Sequence, residues 1–378
     1  FMAGNNFPVD ANPAVLRWAR ETAGYSVEIA GDRVADPKTV AAWEAGTERP
    51  TWRAVQRLAK IYRRPVAALL LAEPPAEPPL PPDFRKLPEA SKQLSPKTRF
   101  AIRTARWLAA TAAELERELD RPAPFTGPRA RQPGTPETLA HTCRRSLGIS
   151  VDEQTQWQTS GEAFRHWRAA VEAQNVLVFQ ASMPVDEVRG FSLFEGGKAV
   201  IVLNQSDALN ARIFTLFHEF CHLLLAKPGI CLPEEGSSNE TQKTETYCNR
   251  FAAAFLVPRD DIATRLEGDI PLENKVAALA ARYRVSRAVV LGRLRNLDAI
   301  GEQAYRRAIA RLEGKASPPR RPGGGGRAPA ARVLGERGRV FVSLVVDALG
   351  RDLITANDAS AYLGIKLKDL DKAAARVK

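Results

Sequence analysis

The chain has 378 residues, 44% of them hydrophobic and 26% charged, with a net charge of +12 and a pI near 9.8. It holds no run of about 18 apolar residues, its opening lacks the basic start and apolar core of a secretory signal, and its four cysteines form no C-x-x-C pair. These features argue against a membrane span or a disulfide framework and predict a cytoplasmic protein of two or three domains, its basic excess suiting an acidic partner such as nucleic acid.

In chain order, residues 10–72 place Leu16, Ala19, Val27, Val40, Trp43, Val55, Leu58 and Ile61 at helical spacing, with breaks at Gly24, Gly31, Gly46 and Pro50. Five or so short helices in that span predict a compact helix-turn-helix domain. Residues 73–134 hold a proline-rich connector at 74–84, one long amphipathic helix at 95–122 and the Pro/Gly break PAPFTGPRARQPGTP. Residues 135–313 start helical, pass through the β-rich runs NVLVFQA (175–181) and KAVIVLN (198–204), and return to helix, with Asp207 at a helix start. Residues 314–338 read as a basic Gly/Pro-rich linker. Ten Arg or Lys stand against Glu313 and Glu336 over 306–339, a balance of +8 that suits either a phosphate backbone or a solvated tether. Residues 339–378 form a small C-terminal unit. The fold class expected is α+β, mostly helical.

The chemistry concentrates at His218-Glu219-Phe220-Cys221-His222, inside the apolar run IFTLFHEFCHLLLA. No Pro or Gly interrupts that run, so it is expected to be helical, and i and i+4 then share a face. Two imidazoles on one face with a carboxylate beside the first suit a catalytic Zn²⁺ site, with His218 and His222 as ligands and Glu219 as general base. The bland alternative is a helix with two partly buried histidines. A third ligand is required. In ETQKTETYCNRFAAAFLVP (240–258), Glu245 shares a face with Cys248 or Asn249 and with Ala252; Glu240 is the rival on spacing. Cys221, Cys231 and Cys248 keep a structural Cys/His zinc site open, although their spacing matches no common zinc knuckle.

IFTLFHEFCHLLL followed by ETYCNRFAAAFLVP resembles the ImmA/IrrE family of zinc metallopeptidases, and RGFSLFEGGKAVIVLNQSDALNARIFTLFHE extends the resemblance upstream; it covers roughly residues 160–300. It implies a zincin-like domain with a small sheet and an active-site helix, His218, His222 and Glu245 as metal ligands, and Glu219 as catalytic base. Tyr247 stands where many members carry an acidic or polar residue. The strand from Val200 to Asn204 is expected to pair with an extended substrate, which makes Val202 and Asn204 substrate-contact candidates.

The segment LRWARETAGYSVEIAGDRVADPKTVAAWEAGTERPTWRAVQRLAKIY resembles Xre/Cro-type helix-turn-helix domains through its WE-x-G turn, Pro50 and LAKIY ending. A recognition helix is expected from Asp36, with Lys38, Thr39, Arg49 and Arg53 as DNA-contact candidates and Arg57, Arg63 and Arg64 toward phosphates. A protein-docking module is the alternative. VAALAARYRVSRAVVLGRLRNLDAI (276–300) has a helix-turn-helix flavour of its own but reads as the closing part of the peptidase region. This pairing implies a regulatory peptidase that cuts a partner repressor or antitoxin. The competing expectation is a DNA-binding regulator or antitoxin with a non-catalytic, sensor-like peptidase fold. Oligomeric state stays open.

Overall fold

The computed structural model describes residues 7–78, 94–127, 134–226, 230–231, 239–266, 270–313 and 328–377. The C-terminal part of the 74–84 connector, the middle of the second Pro/Gly break and most of the basic 314–338 segment lie outside these residues, as do the side chains of Glu240 and Cys231. The chain divides into two compact units: Phe1–Leu80 with Pro88–Thr104, and Pro81–Leu87 with Ala105–Lys378.

The first unit holds α1 (Pro13–Ala23), α2 (Val27–Val34), α3 (Pro37–Ala45) and α4 (Trp52–Tyr62), then a 3₁₀ turn at Val66–Leu70. Each helix starts on a side-chain cap, from Asn12, Ser26, Asp36 and Thr51 in turn, which satisfies an amide left open at the first turn. α1 and α3 stop at Gly24 and Gly46, both at positive φ, the conformation in which glycine closes a helix without strain. Leu16, Ala19, Val40, Val55, Leu58 and Tyr62 form the core. Arg20 on α1 grips Glu44 on α3 through two hydrogen bonds of 2.7 and 2.9 Å, both side chains buried. α5 (Pro96–Glu118) begins in this unit and continues into the second, close to the 95–122 helix expected.

The second unit is built on a sheet. α6 (Pro136–Leu147), α7 (Val151–Gln156) and α8 (Ser160–Glu172) lead into β1 (Val176–Ala181), β2 (Gly190–Glu195) and β3 (Lys198–Asn204). Next come α9 (Leu209–Leu224), β4 (Ile230–Cys231) and α10 (Asn239–Leu256). α11 (Arg259–Ala263), α12 (Leu272–Tyr283), α13 (Arg287–Asn296) and α14 (Glu302–Glu313) follow. The strand order is β1-β3-β2-β4, with β1 parallel to β3 and the other pairs antiparallel. Gly196 and Gly197, both at positive φ, make the two-residue turn between β2 and β3. Ile213, Leu216, Phe217 and Phe220 of α9 share one core with Val176, Val178, Ala199, Ile201 and Leu203 of the sheet. Trp167 and Phe255 clamp Phe217, with ring centroids 5.0 and 4.0 Å away.

Three expectations are corrected. Asp207 does not cap the helix that carries the two histidines: α9 starts at Leu209 with Ala208 at the cap position, and Asp207 instead pairs with Arg189 at 3.1 Å. The described end of the linker expected over 314–338 is helical: α15 (Pro329–Arg337) forms there because Ala330 and Val333 fall on one helical face and are buried. Nor do residues 339–378 stand apart. α16 (Arg339–Gly350), α17 (Ala356–Leu363) and α18 (Leu370–Ala374) belong with α15 to the same unit as the sheet. Phe341 meets Phe179 of β1 edge-on at 5.7 Å, and Gln180 Nε2 donates to the carbonyl of Gly335 at 2.6 Å. Among the described residues no helix is long and apolar enough to cross a membrane.

Candidate metal centre

α9 is apolar nearly all round, so from Thr215 to Leu224 every residue is buried, the polar ones included. Burying two imidazoles and a carboxylate is costly unless each finds a partner. The partners come from α10, which packs along α9. Glu245 Oε2 lies 3.1 Å from His218 Nε2, Glu245 Oε1 lies 3.2 Å from His222 Nε2, and the two ring nitrogens are 3.1 Å apart. Among the described residues these three make the group whose donor atoms converge as a metal-binding set would.

The spacing tests the fit of an ion. Donors about 2.0–2.1 Å from a tetrahedrally bound Zn²⁺ stand about 3.3 Å from one another. The separations here, 3.1, 3.1 and 3.2 Å, agree with such an arrangement. Donor chemistry agrees as well. His218 Nδ1 faces Asn249 Oδ1 at 2.9 Å, so the ring proton belongs on Nδ1 and the Nε2 lone pair is turned to the centre. Three electron-pair donors then face one another, which a cation stabilises and empty space does not. The set could hold a divalent ion.

Burial by itself would raise the Glu245 carboxyl, but its pairing with the His218 and His222 rings outweighs this and holds the group down at about 2. Glu219 goes the other way. Complete burial pushes its carboxyl above the usual range, against the pull of both imidazoles. Neither Glu219 oxygen has a well-formed hydrogen bond; Ser192 on β2 offers a weaker contact. A carboxylate held so poorly solvated beside paired imidazoles has the character of a proton acceptor.

The backbone of β2 makes room for this helix. A Cβ on Gly190 would sit 2.5 Å from Thr215 Cγ2 and 3.0 Å from the Val202 carbonyl, so only glycine lets α9 lie this close to the strand.

The structure therefore brings together His218, His222 and Glu245, with Glu219 alongside. Asn249, Ser192 and Gly190 carry no role in the sequence reading. Asn249 had a visible signal, its i+4 offset from Glu245; the other two depend on how β2 passes under α9. Cys221 and Cys248 are buried free thiols, that of Cys248 hydrogen-bonded with Cys221 and His222 and raised by burial, and neither belongs to the converging donor set. Tyr247 points elsewhere and donates to the Gly134 carbonyl at 3.0 Å.

The substrate-strand expectation is overturned. β3 is the central strand, hydrogen-bonded to β1 on one side and β2 on the other, and all seven of its residues are buried. It has no free edge to offer a peptide. Val202 pairs with Phe179 and Phe191, and the Asn204 side chain ties the loop after β1 by bonding to the backbone of Met183, Val188 and Ser206. Both are structural.

The DNA-contact candidates all lie in the first unit. Lys38 and Arg53 are exposed, and Arg49 is exposed with Asp10 at 3.9 Å. The Thr39 hydroxyl donates to Asp36 at 2.5 Å and is occupied in capping its own helix. Arg64 stacks on Trp18 at 4.0 Å and pairs with Glu77.

Comparison with known proteins places a likeness on the same residues. Residues 171–295 match the IrrE N-terminal-like domain of the peptidase M78 type. The radiation response metalloprotease IrrE of Deinococcus radiodurans is 36% identical over 103 residues, which are 26% of this chain and 31% of that protein. The chain thus spans about a third of the length of the curated relative it matches. The matched region takes in β1 to α13 with both histidines, Glu219 and Glu245, so the candidate metal centre lies within the part of the chain that is similar to an M78 peptidase domain.

Proposed function

We propose that the chain is a zinc-dependent endopeptidase acting in regulation, and that its substrate is a partner repressor or antitoxin protein in the cytoplasm. The observation that carries this is the convergence of His218, His222 and Glu245 at about 3 Å spacing with the buried Glu219 next to them. The likeness to a metalloprotease over residues 171–295 supports the same reading. When bound, Zn²⁺ would supply Lewis acidity, polarising a peptide carbonyl and making water acidic enough to attack at neutral pH. The rest falls to the protein. The Glu219 carboxylate takes a proton from the attacking water and returns it to the leaving amide nitrogen. His218 and His222, held rigid in the α9–α10 core, keep the reacting geometry fixed.

Glu219→Gln tests it. The variant should keep Zn²⁺ at wild-type stoichiometry, measured by elemental analysis, and lose at least about 100-fold in cleavage of co-expressed regulators. Zinc bound and cleavage undiminished would remove Glu219 from the chemistry. If no cleavage occurs with either protein while regulation persists, the sensor-like alternative stands instead.

The first unit extends the proposal to nucleic acid. On α4, Arg53, Arg57 and Lys60 are exposed at intervals of four and three residues, a cationic stripe without an acid in it; Arg63, which caps the end of the helix, lies instead over the Phe100 ring. α3 offers less for base reading, since Thr39 is engaged and Lys38 stands near Asp36. Contact with phosphates through α4 is the reading favoured. Replacing Arg53 and Lys60 with Ala should lower the salt slope of duplex binding by about 2. An unchanged slope would mean the stripe meets no phosphate.

A further inference from the structure

Helix α10 supplies more than one carboxylate to the centre. Asn249 follows Glu245 by four residues, so both side chains leave the same face. Glu245 reaches the Nε2 side of the rings, at 3.1 and 3.2 Å, while Asn249 reaches the back of the first ring, its Oδ1 lying 2.9 Å from His218 Nδ1. The ring is sealed from bulk solvent, with no exposed surface. Its tautomer is consequently set by the protein. In the opposite tautomer the proton would sit on Nε2, aimed at Glu245 Oε2 and at His222 Nε2, both 3.1 Å away. Such a proton satisfies the carboxylate internally and occupies the lone pair that a cation needs. The amide oxygen of Asn249 removes this competitor by giving the proton a better place. The neighbouring residue serves the other ring less firmly: His222 is bonded to the Cys248 thiol, and a thiol is a weak acceptor.

We propose that Asn249 is a positioning residue, whose side-chain carbonyl holds His218 in the Nδ1–H tautomer and thereby sets the affinity of the His218, His222 and Glu245 centre for a divalent cation. The proposal rests on reading those three residues as a metal centre. It assigns Asn249 no contact with the ion or with substrate. Loss of a group that orients a ligating imidazole from behind costs about 10–100-fold in metal affinity.

The test uses the full chain, stripped of metal by a chelator and titrated with Zn²⁺ against a chromophoric competitor and with Co²⁺ by visible absorption. Asn249→Leu, close in size and lacking the acceptor, should bind Zn²⁺ about 10–100-fold more weakly and show a changed Co²⁺ spectrum. The melting temperature of its metal-free form should stay near wild type, which a merely structural role would not predict. Asn249→Asp restores an acceptor of the same shape and should bind at least as tightly as wild type. Wild-type affinity and spectrum in Asn249→Leu would overturn the proposal. So would weakened binding in Asn249→Asp, which keeps the test alive if the Leu variant fails to fold. If the wild-type protein itself takes up neither ion, the metal-centre reading fails, and that outcome is distinguished by the wild-type arm alone.

Discussion

Asp261 shows how one side chain can carry a measurable share of the second unit's pH response. It accepts hydrogen bonds from Arg282 at 3.1 Å, from Arg265 at 3.3 Å and from the Tyr283 hydroxyl, joining α11 to the end of α12. Burial by itself would raise the carboxyl, but those donors win and hold it at about 2, below the ordinary 3.8. A carboxylate depressed in the folded state contributes stability that is complete above about pH 4 and is lost as pH falls through about 2. Asp261→Asn should therefore lower Tm by several degrees at pH 7 and flatten the decline of Tm between roughly pH 4 and pH 2. Equal slopes for the two proteins across that window would show that the carboxylate is not held this way. Gly190 makes a complementary point at the same scale. Its missing side chain, not a present one, sets how near Glu219 lies to β2, and a Cβ would force α9 off the strand.

Among the elements, β3 and the α9–α10 pair define what the site can do. β3 lies between two hydrogen-bonded neighbours and carries α9 on one face, so its ladder supports the helix that holds the histidines. Proline at Val202 removes a donor from a central strand and clashes with its partners. Val202→Pro should lose metal binding and cooperative unfolding together, read by zinc stoichiometry and circular dichroism. A folded variant with only a raised KM would restore β3 as a substrate strand. α9 depends on aromatic packing in the same way. Phe217 is fully buried between Trp167 and Phe255, and its replacement by Ala should cost about 3–5 kcal/mol, measured by denaturant unfolding.

For the whole molecule, the division into two units predicts two thermal transitions with different ion dependence. The donor set lies entirely in the second unit. A cation held at about 100 times its dissociation constant stabilises the folded form by about 2.7 kcal/mol. Removing it by chelation should lower the transition of that unit by about 5–10 °C and leave the first unit's transition in place, read by calorimetry. Two transitions that both ignore the chelator would count against a resident ion. The C-terminal helices belong to this unit as well. They close over β1 through Phe341 and through Arg168, which donates to the carbonyls of Leu334 and Gly335.

Local physics was legible from residues alone. An uninterrupted apolar run made α9 a helix, and 3.6 residues per turn then placed His218 and His222 on one face whatever the rest of the chain did. The start of α3 at Asp36 was readable for the same reason, whereas strand β2, its Gly196-Gly197 turn and the caps Asn12, Ser26 and Thr51 went unread. Long-range packing was not. That β3 is central, that β2 passes under Thr215 without a side chain at Gly190, that α15 to α18 join the sheet, and that Asn249 stands behind His218 all depend on contacts between residues far apart in the chain. Spacing along a chain says which side chains share a face; only the burial of one face against another decides what they meet.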